Sequence, residues 1–303
     1  MRARIRIRWA VAAAVVLAGA RAAAQTPPAV TPIQTAPVAP GLAMLVGVGG
    51  NLAVSTGADG PVLVDDQFAP QVPGIVEAVR RLQDAPIRFV LNTHFHFDHT
   101  GGNEALGQAG ALIFAHDNVR ERLSREHVSK FLQRSFPPQP AAALPVVTFG
   151  KDVTLHWNGE TISVEHVPNA HTDGDVHVWF ERANAVHAGD TFVNGFFPFV
   201  DLESGGSVAG LVAATDRLLA RANADTRIIP GHGPLATRAD VERFRAMLLE
   251  VRARVAKGIA AGKTLEAFVA EKPLADLDPT WGGGFIKAHQ VLQLFWMDAT
   301  APR

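Results

Sequence analysis

Hydrophobic positions along this chain change period several times, and the changes mark out its elements. From Gly41 short β-rich runs dominate, at Ala43–Val48, Asn51–Thr56 and Pro61–Val64, and glycines punctuate them. They predict strands joined by tight turns. Val72–Leu82 then carries Ile75, Val76, Val79 and Leu82 at helical spacing. Arg88–Asn92 returns to a buried-strand pattern, as does Ala111–Phe114, and Asp117–Glu126 predicts a polar helix capped by Asp117. The second half repeats the alternation. Strands are predicted at Val153–Trp157, Ile162–His166, Val176–Phe180, Ala185–Ala188 and Thr226–Ile229, with a helix at Val208–Ala222. Val241–Ile259 places Val241, Phe244, Met247, Leu248, Val251, Val255 and Ile259 on one face, a strong amphipathic helix. Thr264 caps a shorter helix, and Phe285–Phe295 is the closing segment. Two halves, each β-rich first and helical later, predict an α/β (α+β) fold of two packed sheets with helices outside.

No linker interrupts Gly41–Arg303, which reads as one domain. Ahead of it, Gln25–Pro40 holds five prolines among small residues and predicts a flexible leader. Residues 1–24 read as a secretory signal peptide: Arg2, Arg4, Arg6 and Arg8 precede the apolar run Trp9–Ala20, and Ala22-Ala23-Ala24 offers a cleavage site. The apolar run is too short for a comfortable membrane span, so no stable membrane anchor is expected after cleavage, and a periplasmic or secreted location is. Removing five arginines takes 28 basic residues to 23 against 29 acidic, a formal charge of −6. An acidic body without a basic run is not built for nucleic acid; a small molecule is the expected partner. With no cysteine in the chain, every metal ligand must be His, Asp or Glu.

The chemistry concentrates in Thr93-His94-Phe95-His96-Phe97-Asp98-His99-Thr100-Gly101-Gly102. Three imidazoles and a carboxylate within six residues form the nitrogen and oxygen donor mixture that zinc favours. His94 and His96, two apart, project to one side of an extended segment, whereas Asp98 and His99 diverge and suit a second ion nearby. Three later turns offer further donors: His171 in Pro168–Asp175, Asp190 after Ala185–Ala188, and His232 between Gly231 and Gly233.

In that order the motifs resemble those of the metallo-β-lactamase superfamily, His-x-His-x-Asp-His … His … Asp … His, over about Gly41 to the C-terminus. The resemblance implies an αββα sandwich of two mixed β-sheets flanked by helices, with two zinc ions at one edge between the sheets. It implies His94, His96 and His171 on the first zinc, Asp98, His99 and His232 on the second, and Asp190 bridging both. Asp65, in Val62–Asp66, matches a family aspartate that supports the site without binding metal. Two such ions acidify a shared water for attack on an amide or ester-type carbonyl. Asp98 is the residue expected to orient that water and move its proton. Asn194 is a candidate oxyanion donor, or equally a turn residue before Gly195.

His96 stands where the redox di-iron branch carries glutamate, which favours zinc. Export points to β-lactam hydrolysis as the leading expectation. Against a dedicated β-lactamase stand the missing zinc-ligand cysteine and the absence of lysine or arginine from Thr191–Ser207. A lactonase or a glyoxalase II-like thioesterase is the alternative, although quorum-signal lactonases use a tyrosine and this chain has none. A periplasmic zinc-binding or sensing protein is the non-enzymatic alternative. His116, His127, His156, His166, His177, His187 and His289 read as surface or structural groups, with His187 close enough to Asp190 to support it. Trp281–Phe285 reads as a helix-entry turn with its aromatic packed inward, or else as a pocket wall.

Overall fold

The computed structural model describes residues 32–301, so the expected signal peptide lies outside the described residues. In chain order the elements are β1 (Gln34–Ala39), β2 (Leu42–Val46), β3 (Leu52–Ser55), β4 (Val62–Val64), α1 (Val72–Leu82), β5 (Phe89–Leu91), α2 (Phe97–Thr100), α3 (Asn103–Gln108), β6 (Leu112–His116) and α4 (Asp117–Leu123). A hairpin of β7 (His127–Ser129) and β8 (Arg134–Phe136) follows, then β9 (Val147–Phe149), β10 (Asp152–Trp157), β11 (Glu160–His166), β12 (Val176–Phe180) and β13 (Ala185–His187). The chain closes through α5 (Val208–Arg221), β14 (Arg227–Ile229), α6 (Arg238–Ala260), α7 (Leu265–Ala270), α8 (Asp278–Trp281) and α9 (Ala288–Thr300).

Two mixed sheets form the centre, one ordered β1-β2-β3-β4-β5-β6-β9 and the other β10-β11-β12-β13-β14. Alternation along the strands explains how they stack. Leu42, Met44, Val62 and Val64 point inward and meet Ile162, Val164, Val178 and Phe180 of the second sheet. Their neighbours Ala43, Leu45 and Leu63 point outward and are covered by Ile75, Val79 and Leu106 of the flanking helices α1 and α3. The outer face of the second sheet, with Trp179, Val186 and Ile228, packs under Leu211, Phe244, Val251 and Phe295 of α5, α6 and α9. The result is the expected αββα sandwich.

Three local expectations need correction. Gln34–Ala39 is not leader: its backbone pairs antiparallel with Leu42–Val46 around a Pro40-Gly41 turn in which Gly41 takes φ 73°. Pro37 is compatible with this strand because it is an edge. Asp117 does not cap α4; the ring of His116 does, Nδ1 accepting from Asn118 N at 3.2 Å. The closing helix begins at Ala288 rather than Phe285, because Phe285 belongs to the preceding loop. The β7–β8 hairpin has no counterpart among the predicted elements.

Candidate metal centre

Loops following β4, β5, β11, β13 and β14 converge at one edge of the sandwich, and they carry Asp65, the His94–His99 segment, His171, Asp190 and His232 respectively. Backbone hydrogen bonds between the sheets fix their spacing: Val176 N donates to Thr93 O at 2.9 Å, and Asn51 N to Gly231 O at 2.7 Å. The Asn51 amide also donates to the carbonyls of Pro230 (2.9 Å) and Gly233 (2.8 Å), so the His232 loop is clamped from both sides. Two glycines leave room for the site. A Cβ on Gly50 would meet Cε1 of His99 at 2.1 Å, and one on Gly231 would meet Oδ1 of Asp190 at 1.9 Å.

All seven expected donors come together. One donor atom from each of His94, His96 and His171 lies within 4.8 Å of the others, and the same holds for Asp98, His99 and His232. Asp190 faces both groups: Oδ1 is 3.2 Å from His99 Nε2, and Oδ2 is 3.5 Å from His232 Nε2 and 3.8 Å from His171 Nε2. Ring nitrogens confront one another directly, His171 Nε2 with His96 Nδ1 at 2.8 Å and His99 Nε2 with His232 Nε2 at 3.3 Å. His94 Nε2 is buried with no hydrogen-bond partner. Lone pairs that face one another across a buried cluster call for a shared cation.

Partners behind the rings select which nitrogen faces inward. Asp65, fully buried at φ 62°, accepts from Thr93 N and Thr93 Oγ1 (both 2.7 Å) and from His99 Nδ1 (2.8 Å). The Thr93 hydroxyl, its proton given to Asp65, accepts from His94 Nδ1 at 3.0 Å. His171 Nδ1 donates to Phe199 O at 2.9 Å, and His96 Nε2 pairs with the buried Asp201 Oδ2 at 3.0 Å. Each ring thus keeps one nitrogen free for the centre, the arrangement by which outer partners set the tautomer of metal-binding histidines.

Charge points the same way. Burial, with the neighbouring histidines, pushes His94 well below its usual range and His171 down to about 4. Burial also opposes charge on His232, but Asp190 and Asp98 outweigh it and lift that ring to about 10. Burial opposes charge on Asp98 as well, yet His99 and His232 bring it down to about 2. The carboxylates therefore draw positive charge into the place where the donors converge, and a metal ion supplies it without protons. Donor set, facing lone pairs and tautomer control all fit two divalent ions.

Asn194 is placed differently. Its amide donates to Pro234 O at 3.0 Å and its N–H to His232 O at 2.9 Å, so it holds the loop and does not line the cavity above the centre. His187 accepts from Gly189 N and donates to Asn51 O, stiffening the turn that presents Asp190. Trp281 is packed inward while Gly283, Gly284 and Phe285 line the cavity, so both readings of that segment hold. Sequence reasoning missed the supporting roles of Asp201 and Thr93. Asp201 has no spacing signal, since it lies 105 residues from its partner His96.

The family model for the metallo-β-lactamase superfamily matches residues 41–232. The chain belongs to the metallo-β-lactamase superfamily. Among its curated relatives is a hydroxyacylglutathione hydrolase of Polaromonas sp., 31% identical over 160 residues, which are 51% of this chain and 52% of that protein. The chain thus spans about half the length of that relative. Among solved structures, a metallo-β-lactamase from Pontibacter korlensis superposes with a TM-score of 0.59 at 16% identity, covering 72% of this chain and 99% of that one. A sec-alkylsulfatase, Pisa1 from Pseudomonas sp., superposes with a TM-score of 0.65 at 17% identity, covering 88% of this chain and 50% of that one. Both likenesses concern the fold. The chain is thus a superfamily member with a His/Asp centre suited to metal.

Proposed function

We propose that this superfamily member is a dizinc hydrolase that opens acyl bonds, with an ester or thioester as substrate. The observation that carries the reading is the pair of three-donor groups joined through Asp190, with Asp98 and His232 opening onto a cavity. His94, His96 and His171 would hold one ion, and Asp98, His99 and His232 the other. When bound, such ions acidify water and polarise a carbonyl. The chain's own residues do the rest. Asp98, partly exposed and 3.3 Å from His232 Nε2, accepts a proton from the attacking water and returns it to the leaving group. Asp65, Thr93 and Asp201 keep the rings in register. The apolar cavity wall limits stray water around the reacting carbonyl.

The ester or thioester class is supported by the curated relatives, named for a glutathione thioester. A β-lactam amide is the second reading, favoured by the export segment expected in residues 1–24, which would place the enzyme in the periplasm. The test is hydrolysis by the zinc-loaded protein of ester, thioester, lactone, β-lactam and phosphodiester probes, with Asp98→Ala and His232→Ala beside it. Turnover of an acyl probe that falls by at least about 10²-fold in both variants is expected. Zinc-loaded protein inert on every probe, or variants as active as the parent, refutes the assignment.

A further inference from the structure

Above the centre lies a cavity of about 510 Å³ whose floor includes His96, Asp98, Asp190 and His232. Its walls are aromatic and aliphatic: Val48, Phe68, Phe97, Phe136, Phe196 and Phe285 all line it. Phe97, the residue between His96 and Asp98, stacks on Phe136 of the β7–β8 hairpin at 5.1 Å and 28°, and Phe68 flanks it at 5.4 Å. The hairpin is moored from below, Lys130 N donating to Glu203 Oε2 at 2.8 Å. On the opposite side Gly284 lies so close to Phe196 that a Cβ would meet its ring at 2.8 Å, which brings the loop carrying Phe285 onto the rim.

Three large apolar side chains in this wall, Val48, Phe97 and Phe285, stay substantially exposed, Phe285 at 74%. Exposed apolar groups gathered around one reactive centre mark a binding surface. The cations at the rim already have acids: Arg122 Nε donates to Asp173 at 2.8 Å, and Arg125 pairs with Glu121 at 2.8 Å. A third, Arg134, lays its guanidinium over the outer wall rings, 5.1 Å from the centre of Phe97 and 5.0 Å from that of Phe136, so it is engaged by the aromatic wall itself. The wall therefore offers mainly dispersion and burial. At about 30 Å³ per water-sized group, 510 Å³ is roughly 17 such groups. Shared among the scissile group, the leaving group and an apolar tail, that is room for a tail of about six to ten carbons.

We propose that the substrate carries an apolar chain or ring of about six to ten carbons next to the scissile carbonyl, seated between Phe97–Phe136 and Phe196–Phe285. This rests on the acyl-hydrolase reading and adds its specificity. Two series test it on the zinc-loaded protein: turnover of p-nitrophenyl esters and acyl thioesters from C2 to C10, and calorimetric binding of straight-chain alkanoates from acetate to decanoate, which needs no turnover. Each added methylene is expected to raise kcat/KM and alkanoate affinity about fourfold up to C8, the factor for burying one CH₂. Phe136→Ala and the exposed-site variant Phe285→Ser are expected to cut the C8-to-C2 ratio at least about fivefold. Alkanoate affinity independent of chain length, or a ratio unmoved in both variants, overturns the proposal. Alkanoates that follow the series while no ester or thioester is cleaved would leave the apolar subsite standing and sink the acyl-hydrolase reading instead. Esters cleaved without regard to length would do the reverse.

Discussion

Replacing Asp65 separates two contributions that this carboxylate makes. Asparagine tolerates the left-handed conformation found at φ 62° and keeps one oxygen to accept from Thr93 N–H. Its NH₂ would then face His99 Nδ1–H where a carboxylate oxygen stood at 2.8 Å, donor against donor. His99 can resolve the conflict only by moving its proton to Nε2, the nitrogen that faces the centre. Losing the charge-assisted bond costs about 1.5–3 kcal/mol, and loss of such an outer partner weakens metal binding by about 10–100-fold. Asp65→Ala adds about 1–2 kcal/mol for a left-handed alanine and about 1–3 kcal/mol for the orphaned Thr93 N–H. At about 2–4 °C per kcal/mol, the alanine variant is expected to melt roughly 4–20 °C below the asparagine variant. Zinc titration against a competing chelator reads the first effect, and thermal unfolding of the metal-free proteins reads the second. Wild-type zinc affinity in Asp65→Asn would refute the orienting role, and equal melting of the two variants would refute the strain argument.

Further outcomes follow from other sites. Gly50→Ala is expected to displace the His99 ring, since its Cβ would lie 2.1 Å from Cε1; metal analysis should show at most one zinc per chain, and two zincs would contradict it. His177, whose Nε2 bonds Thr191 Oγ1 at 2.8 Å, is pushed down to about 3 by burial, with Arg217 and Arg221 adding to the effect. Its folded pKa lies below the unfolded value near 6.5, so the unfolded chain takes up the proton first; the stabilisation is present above about pH 6.5 and is lost as pH falls towards 3. Denaturant unfolding of the wild type should lose about 2 kcal/mol from this group between pH 6.5 and 5, and His177→Gln should lack that increment. An identical acid slope in the variant would count against it.

How much of this was legible in the chain depends on how locally each feature is encoded. The His94–His99 cluster could be read because its donors are contiguous, and His171, Asp190 and His232 because each follows a strand in a glycine- or proline-marked turn. The two sheets followed from the glycine-punctuated β-rich runs that open each half, and the outer helices from the helical spacing in α1 and α6. Asp201 could not be read, since its importance comes only from folding it onto His96. The strand Gln34–Ala39 was hidden by Pro37, which an edge position tolerates and a central one would not, and by the prolines around it. The cap of α4 went to His116 because its ring reaches Asn118 N first, a preference that helix-start rules built on Asp and Ser do not contain. The hairpin His127–Phe136 carries too few alternating residues to announce itself, yet it supplies the aromatic wall.

The contact between His99 and His232 joins residues 133 apart in sequence, and the Asn51 clamp spans 182. During synthesis, His94–His99 leaves the ribosome long before the loop that completes the second donor group. Before β14 docks, a nascent chain can gather four of the histidines, His94, His96, His99 and His171, with Asp98 and Asp190, but the Asp98–His99–His232 group closes only when both sheets are in place. Contacts this distant in sequence form late and slowly. Closure of the Asp98–His99–His232 group is therefore a clock for the docking of β14, and a chain released short of His232 would carry the opening motif but never the finished centre.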